Sequence, residues 1–156
     1  MSTLAPAQVF TVANTSVLPC WLLLILAPRW RWTMRLVTFA APVLLALVYA
    51  WMLATAPASP GASFNTLAGV RTLFTTDQAL TAGWIHYLAF DLFTGAWESR
   101  DAHRLGIARW IVIPCMLMTF LFGPIGLAAY LVLRALLRRE VGVFEPQVRT
   151  RAEVTQ

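Results

Sequence analysis

Charged residues are scarce in this sequence, and their scarcity excludes most soluble folds. Only 12% of the 156 residues are charged and 59% are hydrophobic, with a mean hydropathy of +0.68. Soluble domains carry roughly a quarter charged residues. A chain this poor in charge needs an apolar solvent, so the composition predicts a membrane protein built from apolar helices.

Lysine is absent, and all twelve basic residues are arginine. With seven acidic residues, the net charge is +5. In a soluble protein this balance would suggest a nucleic-acid partner. Here the arginines flank apolar runs, as basic residues do where they meet lipid headgroups. We therefore expect membrane lipids as partners, and no nucleic acid.

Cysteine and histidine are also scarce, which limits metal and cofactor chemistry. Cys20 and Cys115 lack the spacing of a metal motif and lie in apolar runs, so we expect both to be packing residues. Two histidines are too few for a membrane di-iron enzyme, and the loop position expected for His103 disfavours a haem shared with His86. No cofactor motif is present, so we predict no cofactor and no metal.

Apolar runs long enough to cross about 30 Å of hydrocarbon are what the sequence does contain. They predict an all-α, polytopic membrane protein with a four-transmembrane-helix bundle in residues 1–139 and a polar, disordered tail in residues 140–156. The predicted spans are about 9–27, 36–56, 79–97 and 107–137.

Smaller signals complete this prediction. A short interfacial helix is expected near residues 64–74, capped by Ser63. Residues 98–106 are charged and are expected to form a solvated loop, while Gly-Pro-Ile-Gly at 123–126 predicts a break in the last run. Four spans place both termini on one side, and arginines then divide six against six between the two sides, which leaves the orientation open.

Residues 83–102 are the stretch around which we expect the chain to be organised. The stretch begins as an apolar, aromatic helical pattern, yet it carries His86 and Asp91. Ionisable groups within a bilayer are costly and mark functional positions. Five residues apart on a helix, the two side chains point about 140° from each other. We take both as candidate catalytic residues with separate partners, and expect His86 to be the more important.

Three interpretations of His86 remain open. A neutral imidazole forms hydrogen bonds to Asn14 or Tyr49, an imidazole transfers protons, or the ring binds a metal or cofactor. Counted from the ends of their spans, Asn14, Tyr49, His86 and Thr119 lie at a similar depth. We therefore expect Asn14, Tyr49 and Thr119 to contribute to a substrate-binding site.

Asp91 has a structural and a functional interpretation. As a carboxylate it bonds to Tyr87, four residues earlier on the same helix face, or is capped by Arg29 or Arg100. As a carboxylic acid it donates a proton to a substrate. Tyr87 therefore joins the candidate binding residues in either case.

Aromatic side chains near these positions suit a lipid-soluble substrate. Trp84 and Phe90 come from the organising stretch and Phe120 from the last run, and we expect them to line the substrate's lateral entry together with Phe93. The same aromatic lining suits a protein that only binds a polyene, so it does not distinguish catalysis from binding.

Several motifs together resemble the abscisic-acid-deficient-four-like family, small four-helix membrane proteins of plant plastids and many bacteria. The resemblance covers about residues 9–133. It is carried by Gly-Trp-x-His-Tyr-Leu-x-Phe-Asp-Leu-Phe at 83–93, the run at 114–126, Asn14 with Pro19-x-Trp21, Pro28-x-Trp30, and Leu73-Phe74.

The resemblance implies a function in carotenoid or isoprenoid metabolism. Plant members are implicated in forming neoxanthin from violaxanthin, an isomerisation that opens an epoxide and makes an allene. Such a reaction needs an acid at oxygen and a base at carbon, and no redox cofactor. One hypothesis is therefore a redox-neutral acid/base isomerase acting on a lipid-soluble isoprenoid or carotenoid.

The alternative is a non-catalytic carotenoid-binding or scaffold protein, whose partners are other biosynthetic proteins or a second copy of the chain. Transport is a weaker alternative, because four helices need an oligomer to build a pathway. No plastid transit segment is recognised ahead of residue 9, and the family has bacterial members. These two points predict a multi-pass protein of the bacterial inner membrane.

Overall fold

The computed structural model describes residues 5–139 and residue 142, and every regular element within them is helical. This confirms the all-α prediction. Apart from residue 142, the predicted tail lies outside the described residues. The helices are α1 (Pro6–Leu26), α2 (Arg31–Ala54), α3 (Leu67–Leu73), α4 (Asp77–Arg104), α5 (Arg109–Phe122) and α6 (Pro124–Arg138).

Two of these helices, α1 and α2, are long and apolar enough to cross a membrane, at 21 and 24 residues. Pro6 occupies the first turn of α1, where its missing N–H breaks no helical hydrogen bond. In α2 the turns over Leu36–Ala40 are widened to π-helical geometry. Pro42 explains the widening. Its ring clashes with the carbonyl group four residues earlier, and its nitrogen has no hydrogen to donate to that carbonyl.

The short helix α3 lies inside the range 64–74 predicted for an interfacial helix, but its cap differs from the prediction. Thr66, rather than Ser63, caps α3, with the Thr66 hydroxyl accepting a hydrogen bond of 3.0 Å from the Gly69 N–H. The predicted cap lies three residues too early in the sequence, because Ser63 and Thr66 both carry a hydroxyl and both precede apolar residues at helical spacing.

The longest helix is α4, which contacts α1, α2, α5 and α6. Its 28 residues extend about 42 Å, from the capping residue Thr76 to Arg104. The prediction that residues 98–106 form a solvated loop is wrong, because α4 continues through Glu98 and Asp101 and buries both side chains. Their burial depends on residues of α5 and α6, with Thr119 bonding to Glu98 from 21 residues and Tyr130 bonding to Asp101 from 29 residues later in the sequence.

Helices α5 and α6 form a hairpin instead of one kinked crossing. The 14 residues of α5 extend about 21 Å, too short for about 30 Å of hydrocarbon. Gly123 then turns the chain with a φ of 53°, and Arg138 at the end of α6 donates to the carbonyl of Gly106, which precedes α5. The break predicted at 123–126 is confirmed, whereas the single pass over 107–137 is wrong.

The turn of this hairpin depends on a close approach between the two helices. A methyl group placed on Gly126 would lie 2.0 Å from the backbone nitrogen of Thr119 and 2.3 Å from its hydroxyl. Only glycine leaves room for that contact. The hairpin therefore requires Gly123 for its backbone conformation and Gly126 for its packing.

The hairpin separates the two ends of the described chain. At the start of α1, Phe10 packs on Trp84 near the beginning of α4, with ring centroids 5.7 Å apart. Arg138 instead lies beside Gly106, beyond the far end of α4. The expectation that both termini share one side is therefore wrong for the described part of the chain.

Arginines gather at one end of the bundle, where α4 ends and α5 begins, and we call it the positive end. Of the ten arginines among the described residues, Arg71 alone lies at the opposite end. The six-against-six division is wrong because α6 returns its arginines to this end; Arg149 and Arg151 lie outside the described residues. The other nine are Arg29, Arg31, Arg35, Arg100, Arg104, Arg109, Arg134, Arg138 and Arg139.

Candidate functional site

Three carboxyl groups lie along the face of α4 that meets the α5–α6 hairpin. Asp91 is half-buried, and Glu98 and Asp101 are buried. Asp91 and Glu98 are seven residues, or two turns, apart on the same face, which separates them by about 10 Å along the helix. These acidic groups, on one internal stripe of an apolar bundle, form the candidate site, and we call them the carboxyl stripe.

Asp91 lies at the level of the hairpin turn. A methyl group on Gly123 would lie 3.0 Å from its Oδ1, so the start of α6 is directly beside the carboxyl group. The Tyr87 side chain, one turn earlier, interacts with the same carboxyl. Within the described residues its Oδ2 is buried without a hydrogen-bond partner, and no arginine forms an ion pair with it. Of the partners predicted for Asp91, Tyr87 is therefore present and the capping arginines are not.

Glu98 is the most enclosed of the three acids, with 0% of its surface exposed. The Thr119 hydroxyl donates to its Oε1 over 2.7 Å. Its Oε2 has no hydrogen-bond partner among the described residues. Glu98 was assigned to a loop from the sequence, although its spacing of seven from Asp91 was a signal that both lie on one helix face.

Asp101 is fully engaged, which distinguishes it from the other two acids. Its Oδ2 accepts a hydrogen bond of 2.7 Å from the Tyr130 hydroxyl and lies 2.9 Å from Arg134 Nε. Its Oδ1 accepts one of 2.9 Å from Arg104. Tyr130 and Arg134 belong to α6, so Asp101 holds the returning arm of the hairpin against α4 and has a structural role.

A series of contacts between polar and aromatic side chains connects α1 with Asp91. The Trp84 indole N–H donates to the Asn14 side-chain oxygen over 3.2 Å, and the Trp84 ring lies 5.2 Å from that of Tyr87. Four residues predicted for the site, Asn14, Trp84, Tyr87 and Asp91, are thus connected. Trp84 is exposed and Tyr87 is half-buried, so this series of contacts extends from the surface of the bundle to the carboxyl group.

Two further predicted residues, Thr119 and Phe120, come from α5. Thr119 reaches Glu98, as described above. Phe120 packs against the buried ring of Trp21, with centroids 5.4 Å apart. Trp21 in turn covers Gly95, one turn along α4 from Asp91. These aromatic rings give the carboxyl stripe apolar surroundings between Asp91 and Glu98.

His86 lies on a different surface of α4 from Asp91, as the 140° separation predicts. Its side chain is exposed, with its ring 5.6 Å from that of Tyr49 and 4.6 Å from that of Phe90. The predicted proximity to Tyr49 is present, whereas Asn14 bonds to Trp84 instead. The structure therefore divides the candidate residues in two, with His86, Tyr49 and Phe90 apart from the carboxyl stripe.

The carboxyl groups are spread along the helix instead of converging. Within residues 5–139 and 142 no group of three or more His, Cys, Asp or Glu side chains is placed to hold a metal ion. Asp91 and Glu98 each offer a carboxyl oxygen inside an apolar bundle. Such groups are suited to accepting and donating protons.

Comparison with known proteins gives the family. The chain is 27% identical over 144 residues to Protein ABA DEFICIENT 4, chloroplastic, from Arabidopsis thaliana; the match covers 86% of this chain and 64% of the relative, so less than two thirds of that protein. No solved structure matches the chain. The profile described as ABA DEFICIENT 4-like matches residues 8–130, well over half of the sequence. The chain therefore belongs to the ABA DEFICIENT 4-like family.

Proposed function

We propose that this chain is an integral membrane protein of carotenoid or isoprenoid metabolism, acting as a redox-neutral acid/base isomerase with Asp91 as its reacting carboxyl. The observation that carries the proposal is the pair of buried carboxyl oxygens, one each on Asp91 and Glu98, that have no partner among the described residues. Burying such groups unpaired costs several kcal/mol in an apolar environment. Because this cost lowers stability, it supports a function for the two groups.

The arrangement suits an isomerisation that transfers protons with no net oxidation or reduction. Opening an epoxide requires a proton on oxygen as the C–O bond breaks, and forming the new double bond requires removal of a proton from carbon. One proton is gained and one lost, so no oxidant or reductant is needed. Asp91 and Tyr87 are the half-buried pair able to meet a substrate. Asp91 protonates the epoxide oxygen and, as the carboxylate so formed, takes up the proton lost from carbon, which restores the acid. Glu98 lies two turns along α4 toward the positive end and has no exposed surface, so it does not contact the substrate.

The substrate class comes from the family resemblance, and the local chemistry agrees with it. The exposed ring of Trp84 and the half-buried ring of Tyr87 offer flat apolar surfaces beside Asp91. A polyene or isoprenoid chain stacks on such rings, leaving a polar end group at the carboxyl. His86 lies on another surface, so the geometry favours Asp91 over His86 as the reacting group.

The same proposal includes the arrangement in a bacterial inner membrane. Helices α1, α2 and α4 cross the bilayer, and the α5–α6 hairpin enters from the positive end and turns back at the depth of Asp91. Basic residues concentrate on the cytoplasmic side of membrane proteins. The positive end, with nine of the ten described arginines, therefore faces the cytoplasm. We also propose that the chain binds a second copy of itself or a biosynthetic partner protein.

Replacing Asp91 with asparagine tests the catalytic proposal. In a host lacking its own copy, carotenoid and terpenoid profiling identifies the compound that the gene controls. We expect Asp91→Asn to reduce formation of that compound at least tenfold, equivalent to about 1.4 kcal/mol of barrier, because an amide cannot exchange the proton. The matched variant His86→Gln, on the same helix but another surface, should stay within about threefold of wild type.

Correctly inserted Asp91→Asn and Glu98→Gln variants with wild-type product levels would refute the enzyme and favour a carotenoid-binding scaffold. A larger loss in His86→Gln than in Asp91→Asn would move the chemistry to the Tyr49–His86–Phe90 surface.

A further inference from the structure

A cavity of about 650 Å³ opens at the positive end of the bundle, and none of the three carboxyl groups of the stripe lines it. Its walls come from the connection between α1 and α2, the last turn of α4 and the start of α5. Cavities that bind small molecules in proteins have volumes of about 300–1,000 Å³. The size therefore suits a ligand or part of a lipid.

The rim of the cavity is cationic. Arg29, Arg100 and Arg109 line it from three different segments, together with His103 and Ser99. No aspartate or glutamate lines it, and none of the three arginines forms an ion pair with a described residue. Their charges are therefore available to a ligand. Guanidinium groups bind phosphate through paired, parallel hydrogen bonds.

The inner wall of the cavity is apolar. Leu24 and Val112 each have 1% of their surface exposed, and Met116 has 2%. Such a wall rejects a hydrated ion and accepts hydrocarbon. A cationic rim over an apolar wall matches a molecule that has an anionic head and an apolar tail.

The surroundings place this cavity at the level of lipid headgroups. Trp30 and Trp32 are exposed beside it in the sequence, and interfacial tryptophans mark that level of a membrane. We propose that the cavity binds a phosphate-bearing lipid of net negative charge, with the phosphate on Arg29, Arg100 and Arg109 and the first part of the tail against Leu24 and Val112. This site is independent of the isomerase proposal.

Binding by the purified full-length chain in detergent micelles tests the site. Phosphatidylglycerol, phosphatidylcholine, farnesyl diphosphate and inorganic phosphate are titrated separately, with the unfolding temperature as the readout. We expect saturable stabilisation by phosphatidylglycerol, at least tenfold weaker binding of phosphatidylcholine, and no effect of inorganic phosphate at the same concentration. Binding of farnesyl diphosphate at least as tight as that of phosphatidylglycerol would identify a prenyl diphosphate as the preferred source of the phosphate.

Matched arginine variants separate the cavity from general surface charge. Arg100→Gln and Arg109→Gln should each weaken phosphatidylglycerol binding at least fivefold. Arg35→Gln removes the same charge at the same end outside the cavity, and should stay within twofold of wild type. All three arginines are exposed, so we expect folding to be retained; Arg100→Lys, which keeps the charge, should lose affinity to an intermediate extent.

The proposal would be overturned by equal losses in the Arg35, Arg100 and Arg109 variants, which would indicate diffuse attraction to the charged end. Equal affinity for phosphatidylglycerol and phosphatidylcholine, or binding of inorganic phosphate as tight as that of either lipid, would also overturn it. These results leave the Asp91 test unaffected, because that test measures product formation at a different site.

Discussion

Gly126→Ala should lower the free energy of unfolding by about 3 kcal/mol or more, at the upper end of the effects of inserting one methyl group. The added methyl would lie 2.0 Å from the backbone nitrogen of Thr119. Backbone atoms inside a helix cannot move aside as a flexible side chain does, so α5 and α6 must separate. Titrating the purified protein in micelles with a denaturing detergent measures the loss.

The matched control is Gly61→Ala. Gly61, unlike Gly126, has a positive φ, of 83°, but no atom lies within 4 Å of the position of the added methyl. Its cost should be limited to backbone strain of about 1–2 kcal/mol. Equal losses in the two variants would show that α5 and α6 do not approach closely at Gly126.

Arg134→Met should have a comparable effect, a loss of about 3 kcal/mol in the free energy of unfolding, because removing one partner of a buried ion pair leaves the buried charge of the other less compensated. The Arg134 side chain is 1% exposed and lies 2.9 Å from the Asp101 carboxylate. Asp101 keeps Arg104 and Tyr130 as partners, so we expect the lower end of the range known for buried pairs. The same detergent titration measures this loss.

Arg138→Met, one turn later on α6, is the control for lost charge. Arg138 is exposed, so its replacement should cost no more than about 1 kcal/mol. Tyr130→Phe, which removes one hydrogen bond from Asp101, should cost about 1 kcal/mol. A loss in Arg134→Met no larger than in Arg138→Met would mean that α6 does not return to Asp101.

Local signals in the sequence are sufficient for the first two helices and for the break at Gly123, but not for the direction of the last helix. Apolar length predicted α1 and α2, and Gly123 with Pro124 predicted a break. A break alone does not distinguish a kink from a reversal. The reversal depends on the contact between Gly126 and Thr119, which exists only once two helices are packed.

The candidate site was predicted in part for a similar reason. Asp91 and Tyr87 were recognisable together because they lie four residues apart on one helix. Glu98 and Asp101 were assigned to a loop because charged residues are dense there. Their partners, Thr119 and Tyr130, lie 21 and 29 residues away, beyond the range of any local pattern.

His86 illustrates the limit of depth as a criterion. The depth of a residue in a span is readable from sequence, whereas the direction of its side chain depends on where the neighbouring helices lie. His86 and Asp91 were both placed within the third apolar run, but only Asp91 faces the hairpin. Its angular separation from His86 was predictable, but the face that became the interior was not.

Cysteine labelling tests directly whether the α5–α6 hairpin turns back to the positive end. Single cysteines replace Ser59, Ala108 and Arg139 in a chain with Cys20→Ala and Cys115→Ala, and intact cells are treated with a membrane-impermeant maleimide. Ser59 lies between α2 and α3, Ala108 just before α5, and Arg139 just after α6. We expect labelling of the cysteine at position 59 alone, with those at 108 and 139 protected until the membrane is opened. Labelling of the cysteine at 139 together with the one at 59, and protection of the one at 108, would show that the last segment crosses the membrane and would contradict the hairpin.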